Sequence, residues 1–476
     1  MRFPLSIACL AAAFLLGLVP TATAQLRVGA GKADITPDPD KVPEPLVSIH
    51  DHIFTRAILI ENSGRSALLM NVELGGLPAG FYEKLATEIT SRYGIPRENM
   101  IISACHVHSS GAILDPAQPG GPNATPNKQA FTDKTYKAML DAVKQAKDSL
   151  QSAEMGFGEG KLYLNVNRDA IDPKTRLWAQ EPDVNAPSDK TLAVLEFRKP
   201  GGGDPIAIYM NYAMHSVTMF LTEEISGDFP EVAQSYVEDV YDNKVVAMFA
   251  QAPEGDQNPL YMRPILAINE PRIHAEMDPA KPNDMGEYND AIMHLFQGGA
   301  KRPLLPMDPK VFKQAWAVVE AQGTIMAEET LRVMNDIPTF SSAALIQGAT
   351  TDVNCPGRKR INHEREGVAG IYEDGPPVAI TVGALRIGDV ALGRVNGEPY
   401  NKIGQEAKQG SPFRNTLIVA LVSGGSSGGY MPTDDAYGHY TFQAVGTRVK
   451  PGCAEMGIVN GIDTLLRQDL QSSTKQ

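Results

Sequence analysis

Short blocks of apolar residues, many of them rich in valine, isoleucine and leucine, recur along this 476-residue chain between segments that carry Gly, Asn, Asp and Pro. Blocks of four to eight such residues are typical of buried β-strands. The blocks 56–61 and 66–72 flank Asn62-Ser63-Gly64 and predict a hairpin. The predicted strands are 26–35, 56–61, 66–72, 100–103, a segment near Leu162, 192–197, 206–212, 245–249, 379–392 and 416–422.

Other segments have apolar residues every three to four positions, which is the spacing of an amphipathic helix. The segment 81–93 is followed by Gly94 and Pro96, which end helices. The other predicted helices are 133–149, 229–240 and 311–335. Short strands mixed with helices favour an α/β or α+β arrangement over a regular doubly wound sheet. We expect an α/β fold: one large domain over 25–476, with mixed β-sheets flanked by helices.

Residues 262–309 interrupt this pattern because they are rich in Pro, Met and Asp and have only weak periodicity. Segments of this kind between regular elements are often functional loops. We therefore predict a long insertion or lid at 262–309.

The first residues have the features of a secretory signal peptide. Met1-Arg2 is followed by an apolar run from Leu5 to Leu18 and then by Ala22-Thr23-Ala24. We expect residues 1–24 to be removed, and the mature chain, from about Gln25, to be secreted or periplasmic. No later segment approaches the roughly 20 apolar residues of a membrane-spanning helix, so stable membrane insertion is not expected.

The chain has a formal net charge of -13 and no basic cluster. These properties argue against nucleic acid or an anionic membrane surface as the main partner. Without Cys9, the mature chain keeps three cysteines, so at most one disulfide can form. Cys355 with Cys453 is the expected pair, because Cys105 lies inside a histidine motif. The oligomeric state stays open.

That motif is His106-Val107-His108, which follows the predicted apolar strand 100–103 after Ala104 and Cys105. Alternate side chains of an extended segment share a face, so both imidazoles can point into one cleft. Paired histidines on a loop are also found without any ligand. The rest of the chain therefore has to distinguish a metal site from ordinary polar residues.

Four further predicted strands end in loops that carry polar side chains: His215, the segment 254–258, Glu398 and Tyr430. Loops at one edge of a sheet are where catalytic groups gather, because the scaffold positions them and leaves them accessible. Two neutral imidazoles and a carboxylate are a common zinc ligand set. The pattern therefore favours a zinc site.

These segments resemble, in the same order, the motifs of the neutral ceramidase family, in particular of its N-terminal catalytic domain. In the family's S-x-T-H-T-H-S motif, Cys105 and Val107 take the threonine places. The matching segments are 28–37, 103–109, Asn167-Arg168, His215 with 226–228, 249–251 with 255–256, Gly397-Glu398, Gly429-Tyr430 with Thr433 and Tyr437, and 451–455.

The resemblance implies a zinc-dependent hydrolase of an amide C–N bond, in a ceramide-like N-acyl compound or another small amide. One Zn²⁺ per chain would be bound by His106, His215, Glu398 and Tyr430. His108 would lie beside the metal and handle protons, and Arg168 would face the substrate.

Three departures from the family pattern change these expectations. Asn258 stands where ceramidases have the serine of G-D-x-S-P, which favours attack by metal-activated water over an acyl-enzyme. Phe442 stands at a family tyrosine, and Tyr440 is a possible substitute donor. The chain ends soon after Glu455, so we expect a short bacterial relative without the immunoglobulin-like C-terminal domain.

The identity of the general base is open. Asp256 and Glu254 are both candidates, and a turn-stabilising role is at least as plausible for either carboxylate.

Three alternatives remain. The first is a zinc-dependent esterase. The second is a serine hydrolase that uses Ser427 in Gly425-Ser426-Ser427-Gly428-Gly429, although no helix is predicted directly after that serine. The third is an exported binding protein that keeps zinc for stability only, although a structural site normally has four strong ligands.

Overall fold

The structure is a computed structural model that describes residues 25–118, 124–282, 284–297, 304–362, 366–424 and 429–473. The predicted signal peptide and Ser427 lie outside these residues. The strands are β1 Arg27–Asp34, β2 Ser48–Ile49, β3 Phe54–Asn62, β4 Arg65–Val72, β5 Met100–Ala104, β6 Gln151–Ser152, β7 Glu154–Lys161, β8 Asn165–Ile171, β9 Trp178–Asp183, β10 Thr191–Arg198, β11 Pro205–Tyr212, β12 Glu224–Ile225, β13 Val246–Gln251, β14 Gln257–Pro259, β15 Phe340–Ser341, β16 Ile346–Arg360, β17 Tyr372–Ile387, β18 Val390–Val395, β19 Glu398–Pro399, β20 Asn415–Val419 and β21 Tyr430–Met431. The helices are α1 Ala79–Tyr93, α2 Pro126–Asp148, α3 Asp228–Val240, α4 Arg263–Glu276, α5 Met285–Gln297, α6 Pro309–Asp336, α7 Asn401–Gly410, α8 Phe442–Gly446 and α9 Ala454–Ser473.

Three larger sheets organise the described chain. Their strand orders are β5-β4-β3-β1-β6, β13-β11-β10-β7-β15 and β16-β17-β18-β20. Each combines antiparallel neighbours with one parallel pair: β4 with β5, β11 with β13, and β18 with β20. The predicted α/β class with mixed sheets is therefore confirmed.

The two faces of each sheet belong to different hydrophobic clusters. On β3, for example, Ile58 and Ile60 contribute to a central core, whereas Leu59 contributes to an outer one. Side chains of a strand alternate between its two faces, so apolar residues at successive positions bury both faces of the strand. The central core also contains Leu195 of the second sheet and Leu392 of the third, so the inner faces of all three sheets meet there.

Helices cover the outer faces. α1 and α2 pack on the first sheet, α3 and α6 on the second, and α7 and α9 on the third. α2 begins at a proline and is capped by Thr125, whose side chain accepts a hydrogen bond from the Lys128 N–H at 3.2 Å. Within the described ranges, no helix combines the length and the apolarity that crossing a membrane requires.

A buried ionic cluster joins the first sheet to α3. Arg56 on β3 is fully buried, and its guanidinium donates to Glu231 at 2.8 Å, to Glu238 at 2.9 Å and also to Glu73. Lys32 on β1 donates to Glu238 at 2.6 Å. Glu73 follows β4, whereas Glu231 and Glu238 lie on α3, so the cluster links the first sheet to the helix layer that covers the second sheet.

Some elements differ from the predicted ones. Residues 262–309 include two helices, α4 and α5. Pro264 and Pro271 lie within α4, and its weak apolar periodicity concealed it. The predicted strand 379–392 is two antiparallel strands, β17 and β18, which turn at Gly388, where φ is +66°. The expected disulfide between Cys355 and Cys453 is present, and Cys105 is a buried free thiol.

Candidate metal centre

The predicted convergence of five strand ends is present. β5, β11, β13, β18 and β20 each run into a loop that brings a polar side chain to the same place. These side chains are His106, His215, Glu254, Glu398 and Tyr430. Each of the three sheets contributes through its parallel pair, because parallel neighbours end at the same edge. Glu398 and Tyr430 are also direct partners in the short β19–β21 ladder.

Backbone carbonyls orient His106 and His215, the two histidines predicted to bind metal. The Nδ1 atom of His106 lies 2.7 Å from the Gly75 carbonyl oxygen, and Nδ1 of His215 lies 2.9 Å from the Glu254 carbonyl oxygen and 3.1 Å from that of Gln257. A carbonyl only accepts, so Nδ1 must carry the proton in each ring. This contact to the second ring nitrogen is typical of histidines that bind metals, and it leaves both Nε2 atoms with a free lone pair.

Both Nε2 atoms face the same carboxylate oxygen. Oε2 of Glu398 is 3.1 Å from Nε2 of His106 and 3.3 Å from Nε2 of His215. Lone pairs that face each other at this distance repel unless a cation or a proton lies between them. Ligand atoms about 2.0–2.2 Å from one zinc ion in tetrahedral geometry are separated by similar distances. The three residues therefore fit a divalent metal.

Electrostatics favour the protonation states that a metal requires. Burial, reinforced by Arg168, lowers the pKa of His215 to about 3. Burial raises the pKa of Glu398, but a proton on Nε2 of His106 or His215 holds it well below its usual range, and a bound cation would take the place of that proton. Neutral imidazoles and an ionised carboxylate are the forms that coordinate metals.

Tyr430 completes the predicted ligand set from the other side. Its hydroxyl oxygen is 3.5 Å from Nε2 of His215. Burial and the charge of Glu398 raise the pKa of Tyr430 above its ordinary value. The phenol is therefore neutral without a cation, and it is the weakest of the predicted donors.

His108 lies close to the ligands, as predicted, but for a different reason. Its Nε2 is 3.2 Å from Nε2 of His106. The backbone at His106 has φ +60°, so a left-handed residue, and not strand alternation, turns the two rings toward each other. Burial and the neighbouring His106 and His215 lower the pKa of His108 well below its usual range. A neutral imidazole at pH 7 can accept a proton.

Arg168 and Asn258 form a polar pair beside the ligands. The Arg168 guanidinium donates to the Gly255 carbonyl at 2.6 Å and to Oδ1 of Asn258 at 3.1 Å, and it lies 5.4 Å from the centre of the Tyr430 ring. Because arginine only donates, the Asn258 atom that faces it must be the oxygen. The amide N–H groups of Asn258 thus point away from Arg168 and can donate to a substrate.

The two candidate bases have different surroundings. Asp256 accepts from the Asn167 amide and from the Asn401 backbone N–H, each at 2.7 Å, and burial raises its pKa to about 6. Neither carboxylate oxygen of Glu254 has a hydrogen-bond partner in the described chain. Burial and the charge of Glu398 raise the pKa of Glu254 well above its usual range. Asp256 thus holds the loop together, whereas Glu254 faces the site.

Phe442, not Tyr440, lies against Tyr430. The Phe442 and Tyr430 rings are 6.0 Å apart, centre to centre. The Tyr440 carbonyl accepts from the Gly367 N–H, and no described contact joins its side chain to the ligands. A donor role for Tyr440 stays a prediction.

An apolar cavity of about 280 Å³ lies next to His108. α4 and α5 supply part of its wall, from the segment predicted as an insertion or lid. Its lining includes Ile113, Leu114, Leu221, Phe296 and Leu304, and its charged members are Lys128, Arg272, Glu44, Glu223 and Glu224. Arg272 is paired with Glu223 at 2.8 Å. The sequence contained no signal for this cavity, because its lining residues are far apart along the chain.

Comparison with known proteins identifies similar chains. Residues 27–269 match the family model described as neutral/alkaline non-lysosomal ceramidase, N-terminal. This range contains His106, His215 and Asn258, whereas Glu398 and Tyr430 lie beyond it.

A curated relative, the neutral ceramidase of Drosophila pseudoobscura pseudoobscura, is 25% identical over 291 residues, which cover 55% of this chain. The match spans only 40% of that relative's length.

Solved structures show the same fold. The neutral ceramidase from Pseudomonas aeruginosa superposes with a TM-score of 0.66 at 16% identity, over 94% of this chain and 75% of that one. A ceramidase complexed with C2 gives a TM-score of 0.66 at 14% identity, over 94% of this chain and 76% of that one.

Proposed function

This chain belongs to the neutral/alkaline non-lysosomal ceramidase family, as its motifs predict, and from that premise we propose that it is a zinc-dependent hydrolase of the amide bond in an N-acyl compound. Ceramide is the first substrate to test, because the relatives are named for it. Export through the N-terminal segment is part of the same proposal.

The observation that carries the proposal is the pair of imidazole lone pairs that face one oxygen of Glu398, at 3.1 and 3.3 Å. His106, His215, Glu398 and Tyr430 would hold the ion. A zinc ion bound there would polarise a substrate carbonyl and lower the pKa of water toward about 7.

The chain's own polar groups would bind and orient the scissile amide. Asn258, held through its oxygen by Arg168, can donate its amide N–H to the substrate carbonyl oxygen. Asparagine is not a nucleophile, so this arrangement supports direct hydrolysis by water without a serine intermediate. Neutral His108 would take up a proton and pass it to the leaving amine nitrogen.

The cavity beside His108 supports an apolar acyl group on the substrate. Each buried methylene contributes about 0.8 kcal/mol, which is about a fourfold change in an equilibrium or rate constant. We therefore expect kcat/KM to rise about fourfold with each added methylene until the cavity is filled.

A series of N-acyl substrates of increasing chain length tests the cavity. Leu114→Trp, which fills part of it, should shift the optimum toward shorter chains. Leu266→Trp is the control, since Leu266 is 44% exposed and does not line the cavity. Equal activity on all chain lengths would contradict an acyl site.

Metal analysis and a panel of amides and esters test the chemistry. The wild-type protein should contain one zinc per chain and cleave amides, with loss of activity on chelation. His106→Ala should lose both metal and activity, whereas His274→Ala, at a partly exposed histidine on α4, should keep both. Unchanged zinc in His106→Ala would refute the ligand set. Activity that resists chelators would favour the serine hydrolase alternative.

Asn258→Ser restores the residue found in the family motif. If the asparagine separates this chain from ceramide-cleaving relatives, the variant should gain or increase ceramide cleavage. Preference for esters throughout the panel would favour the esterase alternative.

A further inference from the structure

Glu254 is a buried carboxylate that the predicted ligand set leaves out. Its exposed fraction is zero, and both carboxylate oxygens are buried without a hydrogen-bond partner in the described chain. Buried carboxylates are almost always paired with a cation or with hydrogen-bond donors, because an unpaired charge is costly to remove from water. Its neighbour in the same loop, Asp256, follows that rule, with one donor on each oxygen.

The side chain is placed beside the predicted ligands. One carboxylate oxygen of Glu254, one ring nitrogen of His106 and one carboxylate oxygen of Glu398 all lie within 4.8 Å of one another. Two ligands on opposite sides of one ion, each about 2.2 Å from it, are roughly 4.4 Å apart. The separation is therefore compatible with a shared ion.

The backbone maintains this arrangement. The Gly255 N–H donates to the Pro399 carbonyl at 3.0 Å, and a Cβ on Gly255 would lie 2.4 Å from the Glu398 carbonyl oxygen. Only glycine allows the two loops to approach this closely. In addition, the Glu254 carbonyl accepts from Nδ1 of His215. The main chain of Glu254 thus contacts His215 directly, and the next residue, Gly255, is held against the Glu398–Pro399 backbone.

We propose that Glu254 is a further ligand of the metal ion bound by His106, His215, Glu398 and Tyr430. This inference rests on the metal site of the proposed function, but not on the reaction catalysed there. Two carboxylates would then balance the charge of a divalent cation. The number of protein donors would be five, where a tetrahedral zinc site has four.

The test uses Glu254→Gln, which keeps the shape of the side chain and removes its charge. Zinc affinity is measured by competition with a chelator, and the coordination number by the visible absorption of the cobalt(II)-substituted protein. Tetrahedral cobalt absorbs more strongly than five-coordinate cobalt. Glu254→Gln should bind zinc about 10- to 100-fold more weakly, the size of effect seen when metal-site support is lost, and its cobalt form should absorb more strongly.

Two further variants make the result specific. Glu196→Gln alters a buried carboxylate on β10, outside the loop that carries Glu254, and should leave the cobalt spectrum unchanged. Glu254→Asp keeps the charge with a shorter reach, and its zinc affinity should lie between those of the wild type and Glu254→Gln. The metal-free Glu254→Gln protein should melt at or above the temperature of the metal-free wild type, because an unpaired buried carboxylate has been removed.

Wild-type affinity and spectrum in Glu254→Gln would overturn the inference and leave the proposed function standing. A metal-free Glu254→Gln protein that fails to fold would also overturn it, since Glu254 would then have a structural role. A wild-type protein that binds neither zinc nor cobalt would overturn both. A wild-type protein that binds zinc but cleaves no amide would contradict only the proposed function.

Discussion

Replacement of Arg56 by methionine should be among the most destabilising single changes in this chain. Arg56 is fully buried and donates to three glutamates, so the variant leaves these carboxylates without their cation. Removing one partner of a buried ion pair typically costs about 3–5 kcal/mol. Lys32 still neutralises Glu238, and protonation can relieve another carboxylate, so we expect a loss within that range.

The loss should depend on pH. Burial and Glu231 raise the pKa of Glu73 well above its usual range although Arg56 opposes them, whereas Arg56 holds the pKa of Glu238 below its usual value against the effect of burial. Without Arg56, both folded-state pKa values rise, and that of Glu73 rises further above its unfolded value. A raised acid pKa contributes stability at low pH that is lost as pH increases through the folded value. The deficit of Arg56→Met should therefore be larger at pH 7.5 than at pH 5.

Urea unfolding followed by circular dichroism at both pH values measures the effect. Arg467→Met is the matched control, because Arg467 is about half exposed and pairs only with Asp463 and a carbonyl among its described contacts. Exposed pairs contribute about 0–1 kcal/mol. A loss below about 1 kcal/mol in Arg56→Met, or a deficit that grows toward low pH, would refute the reasoning.

Three further predictions concern single positions. Gly255→Ala should lower zinc content while the fold persists, because its Cβ would press on the Glu398 backbone at 2.4 Å; Gly446→Ala, with no atom within 4 Å, should retain zinc, and equal zinc in both would contradict the close-packing argument. Cys355→Ser opens a disulfide that spans 98 residues and should cost about 2–5 kcal/mol in urea unfolding, whereas an unchanged midpoint would exclude a stabilising role. Burial raises the pKa of Glu366 from 4.5 to about 7, so wild-type stability should fall as pH rises across that window; the stability curve of Glu366→Gln should be flatter, and parallel curves would contradict the shift.

The strand ends were the most predictable part of the site. His106 and His215 come two and three residues after largely apolar strands, and a polar residue just past the end of such a strand lies at the edge of the sheet. Because the motifs follow the order found in the family, Glu398 and Tyr430 could be assigned to the same site. Strands in the sheet interior were also predictable, since a short uninterrupted run of apolar residues is typical of a buried strand.

Polar or irregular elements could not be predicted in this way. β8, with the sequence Asn165-Val-Asn-Arg-Asp-Ala-Ile, pairs at its edges with β14 and β9 and buries polar side chains for the site. Because most of its residues are polar, the sequence of β8 resembles that of a loop. The roles of Asp256 and Glu254 were equally hidden, because they depend on which carboxylate receives hydrogen bonds from residues as distant as Asn401.

The convergence of three sheets on one cluster has a consequence for how the protein is made. The predicted donors at positions 106, 215, 398 and 430 come from all three sheets, so they should come together only after these sheets have formed and docked through the central core. Contacts that close such long stretches of chain form slowly, so metal uptake should be a late event in folding. Tight zinc retention would then mark chains that have completed folding, and a fragment ending near residue 269 would contain the two histidines but lack the carboxylate between them.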